Sequence, residues 1–341
     1  MDTQTKLGKT QLNINRIGFG GIPIQRLSYE ESDRVVQKAV DAGINFFDTS
    51  RIYSDSEEKL GRILAGHRKK VVIASKTFSR DGDAVKKDLE TSLKQLGTEC
   101  IELMQCHNIG SPNELDQIMA PGGALEALEQ ALQEGKIQHI GITGHKPPLL
   151  LEALKKYPFS TVQVPLNIIE TGALQELIPY ARSQNIGTIA MKPVAGGALQ
   201  NVKLNLRFIL ANGIDVAIPG MDKEEQINEN LSILENLSPL TKKELEILEN
   251  EKKALDENFC RRCEYCMPCP EGLPISFLHT LSAYYFRYNL KDWAWNRIQS
   301  LPKSYQDCTG CNECIGKCPY DLDNPSIFQD TWKRVQEDRG V

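Results

Sequence analysis

Basic excess, long apolar runs and early cysteines are all scarce in this sequence, and each scarcity removes a class of protein. The 40 Lys and Arg are outnumbered by 45 Asp and Glu, so the chain has no basic footprint for nucleic acid. No apolar run approaches the roughly 18 residues that a membrane span requires. The opening residues, Met1-Asp2-Thr3-Gln4-Thr5-Lys6, lack the apolar core of a secretory signal, which points to the cytoplasm. No Gly-x-Gly-x-x-Gly fingerprint is present, so a Rossmann-type nucleotide site is not expected. Gly18-Phe19-Gly20-Gly21 reads as a tight turn at a strand end, with or without backbone contact to a ligand. Of the ten cysteines, only Cys100 and Cys106 precede residue 260, and both flank or lie in an apolar run. They read as buried structural thiols.

What is present is an alternation. A Gly-Lys turn within residues 6–14 suggests a hairpin. Short apolar runs at 17–20, 44–47, 71–75, 101–106, 137–142, 161–164, 187–191 and 215–219 read as strands. Helical patterns follow them at 28–42, 56–65, 82–96, 123–134, 147–156, 171–184, 202–211 and 223–236. Ser28 and Glu31 are spaced as a capping box for the first helix. Strands alternating with helices imply a parallel sheet, and eight such units in about 250 residues is the size of a (β/α)8 TIM barrel. A doubly wound open sheet is the alternative. The expected division is a barrel over 1–240, a charged amphipathic connecting helix over 241–257 and a small, mainly helical module over 258–341.

In a barrel the residues just past the strand ends build the active site. Asp48 and Tyr53 follow the second strand, Lys76 the third and His107 the fourth. An ammonium beside a phenol favours the phenolate, so Lys76 can tune Tyr53 while Asp48 holds Lys76 by an ion pair. His107 can orient a carbonyl oxygen. No nucleophile with a partner base occurs among the four, which disfavours hydrolysis. A proton donor with little else suits hydride addition to a carbonyl, the hydride being carried by a cofactor.

The run Asp48-Thr49-Ser50-Arg51-Ile52-Tyr53-Ser54-Asp55-Ser56-Glu57 with Gly61, together with Lys76, His107, Pro219-Gly220 and Glu229-Asn230, resembles the aldo-keto reductase superfamily over residues 5–236. The resemblance implies a catalytic tetrad of Asp48, Tyr53, Lys76 and His107, acting with NAD or NADP. It implies nicotinamide contacts from Gln163 and Thr143, adenine contacts from Glu229 and Asn230, and backbone approach at Gly21. Several positions depart from the family pattern. Thr143-Gly144 replaces the usual Ser-Asn, and Lys192 stands where many members stack a tyrosine. Gly220 and Gln226 stand where many use Lys and Arg to grip the 2′-phosphate of NADP, while Lys223 can partly substitute.

The tail carries Cys260, Cys263, Cys266 and Cys269, then Cys308, Cys311, Cys314 and Cys318 followed by Pro319. The second run has the C-x2-C-x2-C-x3-C-P spacing of bacterial ferredoxins, in which the last cysteine serves the other cluster. By that rule one [4Fe–4S] cluster takes Cys260, Cys263, Cys266 and Cys318, and the other takes Cys308, Cys311, Cys314 and Cys269. The first run departs from the pattern by one residue before Cys269, which leaves a single cluster open. Two four-thiolate zinc sites are the remaining reading. The tail resembles the ferredoxin-type extension of a prokaryotic branch of aldo-keto reductases.

The expected function is therefore NAD(P)-dependent reduction of an aldehyde or ketone, or oxidation of the alcohol, with iron–sulfur clusters attached. An electron-transfer or redox-sensing protein is the alternative, with a flavoprotein or ferredoxin as partner.

Overall fold

In the computed structural model the described residues are 3–256, 259–262, 265–318 and 321–341. They divide into two compact units, one built from Met1–Ala195 with Asn201–Glu244 and the other from Gly196–Gln200 with Leu245–Val341.

The first unit opens with strands β1 (Gln4–Lys6) and β2 (Asn13–Asn15), paired antiparallel around a 3-10 turn at Gly8–Thr10. Eight parallel strands follow, paired in chain order. They are β3 (Phe19–Gly20), β4 (Phe46–Asp48), β5 (Val72–Thr77), β6 (Ile101–Cys106), β7 (Ile137–Thr143), β8 (Thr161–Pro165), β9 (Gly187–Met191) and β10 (Val216–Ala217). Parallel bridges from Ile17 to Ala217 and from Gly20 to Gly220 join the first segment to the last and close the ring. The intervening helices are α1 (Tyr29–Asp41), α2 (Ser56–Leu64), α3 (Gly82–Leu96), α4 (Pro112–Met119), α5 (Ala124–Gln133), α6 (Pro147–Lys156), α7 (Leu177–Ser183), α8 (Val202–Ala211) and α9 (Glu224–Leu231). This is the (β/α)8 architecture.

Local chemistry sets several boundaries. Helix α1 starts at a complete capping box, with Ser28 Oγ accepting from the Glu31 amide and the Glu31 carboxylate accepting from the Ser28 amide at 2.8 Å. Helix α3 is capped by Asp81 and stops at Gly97 in the left-handed region, φ 61°. Helix α4 was not expected, because the segment 109–123 reads as a loop. Its start is legible in hindsight: Ser111 accepts from the Glu114 amide and Pro112 occupies the first turn. The expected helices at 171–184 and 223–236 each break into an α-helix and a 3-10 turn.

Alternation along the strands separates two cores. Phe47, Ile73, Met104, Cys106, Ile142, Val162, Val164 and Ala190 face the helices. Phe46, Val72, Ala74, Leu103, Ile189, Val216 and Ile218 form the other core, together with Leu7 and Ile14 of the hairpin. Along β4, β5 and β6 this inner face changes character toward the C-terminal end. Phe46 gives way to Asp48, Val72 and Ala74 to Lys76, and Leu103 to Gln105. The hairpin thus stoppers an apolar floor, and the polar residues are left at the opposite rim.

The second unit contains most of α10 (Lys242–Asp256), then α11 (Ile275–Phe286), α12 (Lys291–Gln299), α13 (Glu313–Lys317) and α14 (Asn324–Arg339). Its core gathers Leu273, Ile275, Leu278, Leu281, Ile298, Tyr305 and Phe328. Beyond the connecting helix expected at 241–257, the sequence pattern marks only 276–288 as helical in this unit, so α12, α13 and α14 are additions. No helix among the described residues is long and apolar enough to cross a membrane.

Gly8 illustrates how tightly the hairpin seats on its unit. It sits at φ +50°, and a Cβ there would lie 2.2 Å from the Gly187 amide nitrogen at the start of β9. Gly8→Ala is expected to cost about 1–3 kcal/mol in urea unfolding through overpacking against rigid backbone. Gly66→Ala, where no atom lies within 4 Å, should stay within about 0.5 kcal/mol of the parent.

Candidate active site

The rim of the strands brings Asp48, Tyr53, Lys76 and His107 together. Asp48 ends β4 and Lys76 lies one residue from the end of β5, both on the inward face, so their side chains meet inside the ring. Lys76 Nζ donates to Asp48 Oδ2 at 2.7 Å and to the Thr49 carbonyl at 2.6 Å. Both side chains are buried. Burial pushes the Asp48 carboxyl up and the Lys76 ammonium down, and each charge partly restores the other. Gln163 lies near enough to Asp48 to favour its charged form slightly.

Tyr53 lies on the loop after β4, half-buried, with Lys76 Nζ 5.3 Å from its ring centre. Its ring meets His107 edge to face, with centroids 5.9 Å apart. Phe78 meets His107 in the same way at 5.8 Å. Burial, then the charges of Lys76, Arg80 and Lys192, hold the His107 pKa well below its ordinary value. The imidazole is therefore neutral at physiological pH.

Two residues that sequence reasoning did not single out position this histidine. Ser50 Oγ lies 2.9 Å from His107 Nδ1 and accepts from the Ile52 amide at 3.4 Å. Its proton can go to Nδ1 or to the Lys76 carbonyl, 3.3 Å away. The shorter contact favours Nδ1, which leaves the His107 proton on Nε2. Arg80 Nη2 donates to the carbonyls of His107 and Asn108 at 2.9 and 3.1 Å and reaches Glu114 at 3.3 Å. It straps the turn where Asn108 adopts φ +53°. A signal for Ser50 was available in its place between Asp48 and Tyr53. For Arg80 none was, because its partners are two backbone carbonyls and the carboxylate of Glu114 on the unexpected α4.

The expected nucleotide residues are more dispersed. Gln163 is buried on β8, its carboxamide oxygen accepting from Gln105 at 2.9 Å. Thr143 ends β7, its hydroxyl accepting from the Asn108 amide at 2.8 Å. Gly21 is buried against the Asp48 carbonyl, where a Cβ would approach to 2.8 Å. Lys192 sits past β9 at φ +54°, its carbonyl accepting from Asn167 at 3.0 Å. Its charge is near enough to His107 to be felt. Gly220 is exposed beyond β10. Gln226 is committed to capping α9, its oxygen accepting from the amides of Asp222 and Lys223 at 2.8 and 3.1 Å. On the same helix Asn230 is buried and Glu229 exposed. Cys106, within β6, is buried and its thiol pushed up to about 12 by desolvation, so it is inert.

In the second unit, Cys266, Cys269, Cys308 and Cys314 pack against one apolar core, although they come from two separate runs. Cys314 lies on α13, and the thiols of Cys308 and Cys311 are close enough to raise its pKa, after the larger effect of burial. The Arg262 amide donates to Cys260 Sγ at 3.4 Å. Cys318 is half-buried just past α13. Cys263 and Pro319 lie outside the described residues. Among the described residues, no three His, Cys, Asp or Glu side chains are placed to hold a single metal ion. Grouped soft thiols on an apolar bed fit iron–sulfur clusters.

Residues 16–205 match the model of the Aldo/keto reductase family, and residues 259–323 match a 4Fe-4S dicluster domain. The L-galactose dehydrogenase of Arabidopsis thaliana is 30% identical over 285 residues, spanning 69% of this chain and 88% of that protein. A putative aldo-keto reductase of Pseudomonas aeruginosa superposes with a TM-score of 0.62 at 27% identity, covering 69% of this chain and 95% of that one. An aldo-keto reductase of Klebsiella pneumoniae in complex with NADPH gives a TM-score of 0.63 at 22% identity, over 73% and 95% of the two chains.

Two measurements check the electrostatics of the rim. Lys76→Met strands a buried carboxylate and should cost about 3–5 kcal/mol of stability, whereas Asp48→Asn/Lys76→Met should cost less because no charge is left alone. Burial and the facing cations favour neutral His107, so its NMR signals should show no titration near pH 6.5 and should begin to shift only well below it.

Proposed function

The chain belongs to the aldo/keto reductase family, and from that premise we propose that it reduces a small aldehyde or ketone, or oxidises the corresponding alcohol, with Tyr53 as the proton donor. The observation that carries this reading is the convergence of a buried Lys76–Asp48 pair, a phenol beside the ammonium and a neutral imidazole against the phenol. A nicotinamide nucleotide held by Gln163 and Thr143 would supply the hydride for the carbonyl carbon. Tyr53 then gives its phenolic proton to the oxygen as negative charge develops there, and solvent later returns a proton to the phenolate. Lys76 has given two of its N–H groups to Asp48 and Thr49. The third serves the phenol and lowers the cost of the phenolate. Neutral His107, with Ser50 on Nδ1, directs its Nε2–H at the carbonyl oxygen and orients it for attack.

Gln163 and Thr143 are assigned to the nicotinamide end of the nucleotide, with Gly21 and Lys192 beside it, and Glu229 and Asn230 to the adenine end. The Klebsiella relative holds NADPH, but the charges here favour NAD at least equally. Gln226 is spent on the α9 cap, and Arg26 is paired with Asp222 at 2.6 Å. Glu224 and Glu225 add carboxylates to the first turn. A 2′-phosphate near Gly220 and Gln226 would meet more negative charge than positive.

The barrel is assigned to 1–240, the connecting helix to 241–257 and the cluster domain to 258–341. We assign two [4Fe–4S] clusters to the eight cysteines, exchanging single electrons with a flavoprotein or ferredoxin partner. A hydride carries two electrons and a cluster accepts one, so a flavin-bearing partner is needed to join the two chemistries.

Tyr53→Phe should lower kcat for aldehyde reduction by at least about 100-fold and leave nucleotide affinity nearly unchanged; retained turnover overturns the assignment. In the parent enzyme kcat/KM with NADH should equal or exceed that with NADPH. Iron analysis after anaerobic reconstitution should return about eight irons per chain, four for each cluster, whereas about four would reduce the assignment to one cluster.

A further inference from the structure

Three neighbouring strands carry a row of positions inside the ring that the proposed chemistry leaves unused. Gln105 on β6 pairs in register with Gly141 on β7, which pairs in turn with Thr161 on β8. Gln105 and Thr161 are fully buried. A Cβ on Gly141 would lie 2.3 Å from Thr161 Oγ1 and 2.9 Å from Gln105 Cγ, so the row tolerates no side chain at its centre. Across that gap Gln105 reaches past β7, and its Nε2 donates to Gln163 Oε1 on β8 at 2.9 Å. Gln163 is 1% exposed.

A single bond between two amides can run in either sense, and the surroundings decide which. At one end stands Asp48, whose Oδ1 is buried without a hydrogen-bond partner. An ionised carboxylate only accepts. Gln163 lies near enough to favour that charged form, as an N–H2 end does and an oxygen end does not. With both amides turned round, the Gln163 oxygen would face the carboxylate and repel it. At the other end, Gln105 Oε1 and the Thr161 hydroxyl are both buried without a partner beside the Gly141 gap. The hydroxyl has a proton to offer that oxygen. Both ends favour the same sense. Gln163 Oε1 is then taken by Gln105, and Gln163 is left with N–H groups alone to offer a ligand.

We propose that Gln105 is a positioning residue for the nucleotide: by donating to Gln163 Oε1 across Gly141, it turns the Gln163 N–H2 to the rim as the donor for the carboxamide oxygen of nicotinamide. Gln105 itself touches neither nucleotide nor substrate. The proposal rests on the assignment of Gln163 to the nicotinamide end.

The test measures, by calorimetry on the full chain, the affinity for NADH and for ADP-ribose, which lacks the nicotinamide. The parent should bind NADH more tightly than ADP-ribose. Gln105→Met, close in shape but without the donor, should weaken NADH by about 3- to 10-fold, the worth of one neutral hydrogen bond, and leave ADP-ribose unchanged. Gln163→Met should weaken NADH at least as much. Loss in Gln163→Met with none in Gln105→Met, or equal loss of both ligands in Gln105→Met, overturns the proposal and spares the Gln163 assignment. No preference for NADH in the parent, or no loss in either variant, overturns both. Should Gln105→Met fail to fold, neutron diffraction from the perdeuterated parent decides. Deuterium on Gln105 directed at Gln163 supports the proposal, and deuterium on Gln163 directed at Gln105 overturns it.

Discussion

Two opposite charges, Asp48 and Lys76, lie inside a ring of strands whose floor is hydrocarbon. Isolated, either would carry a desolvation penalty of several kcal/mol; together, at 2.7 Å, they persist. The rest of the rim is arranged around that pair. The Thr49 carbonyl takes a second N–H of the ammonium, and Gln163 lies near the carboxylate. The same ammonium stands over the Tyr53 ring and helps to keep His107 neutral. One buried cation thus bears on both a phenol and an imidazole, in opposite senses useful to proton donation. The phenolate becomes easier to form, and the imidazolium becomes harder.

Backbone as well as side chains bears on this geometry. Arg80 ties the carbonyls of His107 and Asn108 to Glu114 in the first turn of α4. Ser50 takes its position from the loop between Asp48 and Tyr53 and its partner from the end of β6, two strands round the ring. In the second unit a similar economy holds. A small apolar core gathers thiols from two runs of the chain.

Elements with strong period and clean caps were legible residue by residue. Helix α3 and strands β6 and β9 fall where their patterns placed them, since Asp81 and Gly97 punctuate the helix and β-branched or long apolar residues fill the strands. Helix α4 was missed because eight residues behind a polar loop carry too little periodicity, although Ser111 and Pro112 announce it. The helices at 171–184 and 223–236 looked continuous because composition does not register a change from 3-10 to α hydrogen bonding. Helices α12 and α14 are not marked by pattern because their apolar residues are sparse among charged and polar ones and give a weak helical period.

By itself the sequence determined the order of strands and helices, the inward and outward alternation of each strand, and the segregation of eight cysteines into the tail. These follow from local rules: period, capping and spacing. Only the tertiary structure decided that Lys76 reaches Asp48, that Ser50 faces His107 Nδ1, and that Gln226 is occupied by a helix cap. It alone revealed that the buried Asn324 pairs with His279 on another helix. Apart from the Gln226 cap, which is local to its own helix, those partnerships join residues far apart in the chain, and their distances depend on closure of the ring and packing of the helices. A residue's type states what it can do; the closed fold selects the partner with which it does it.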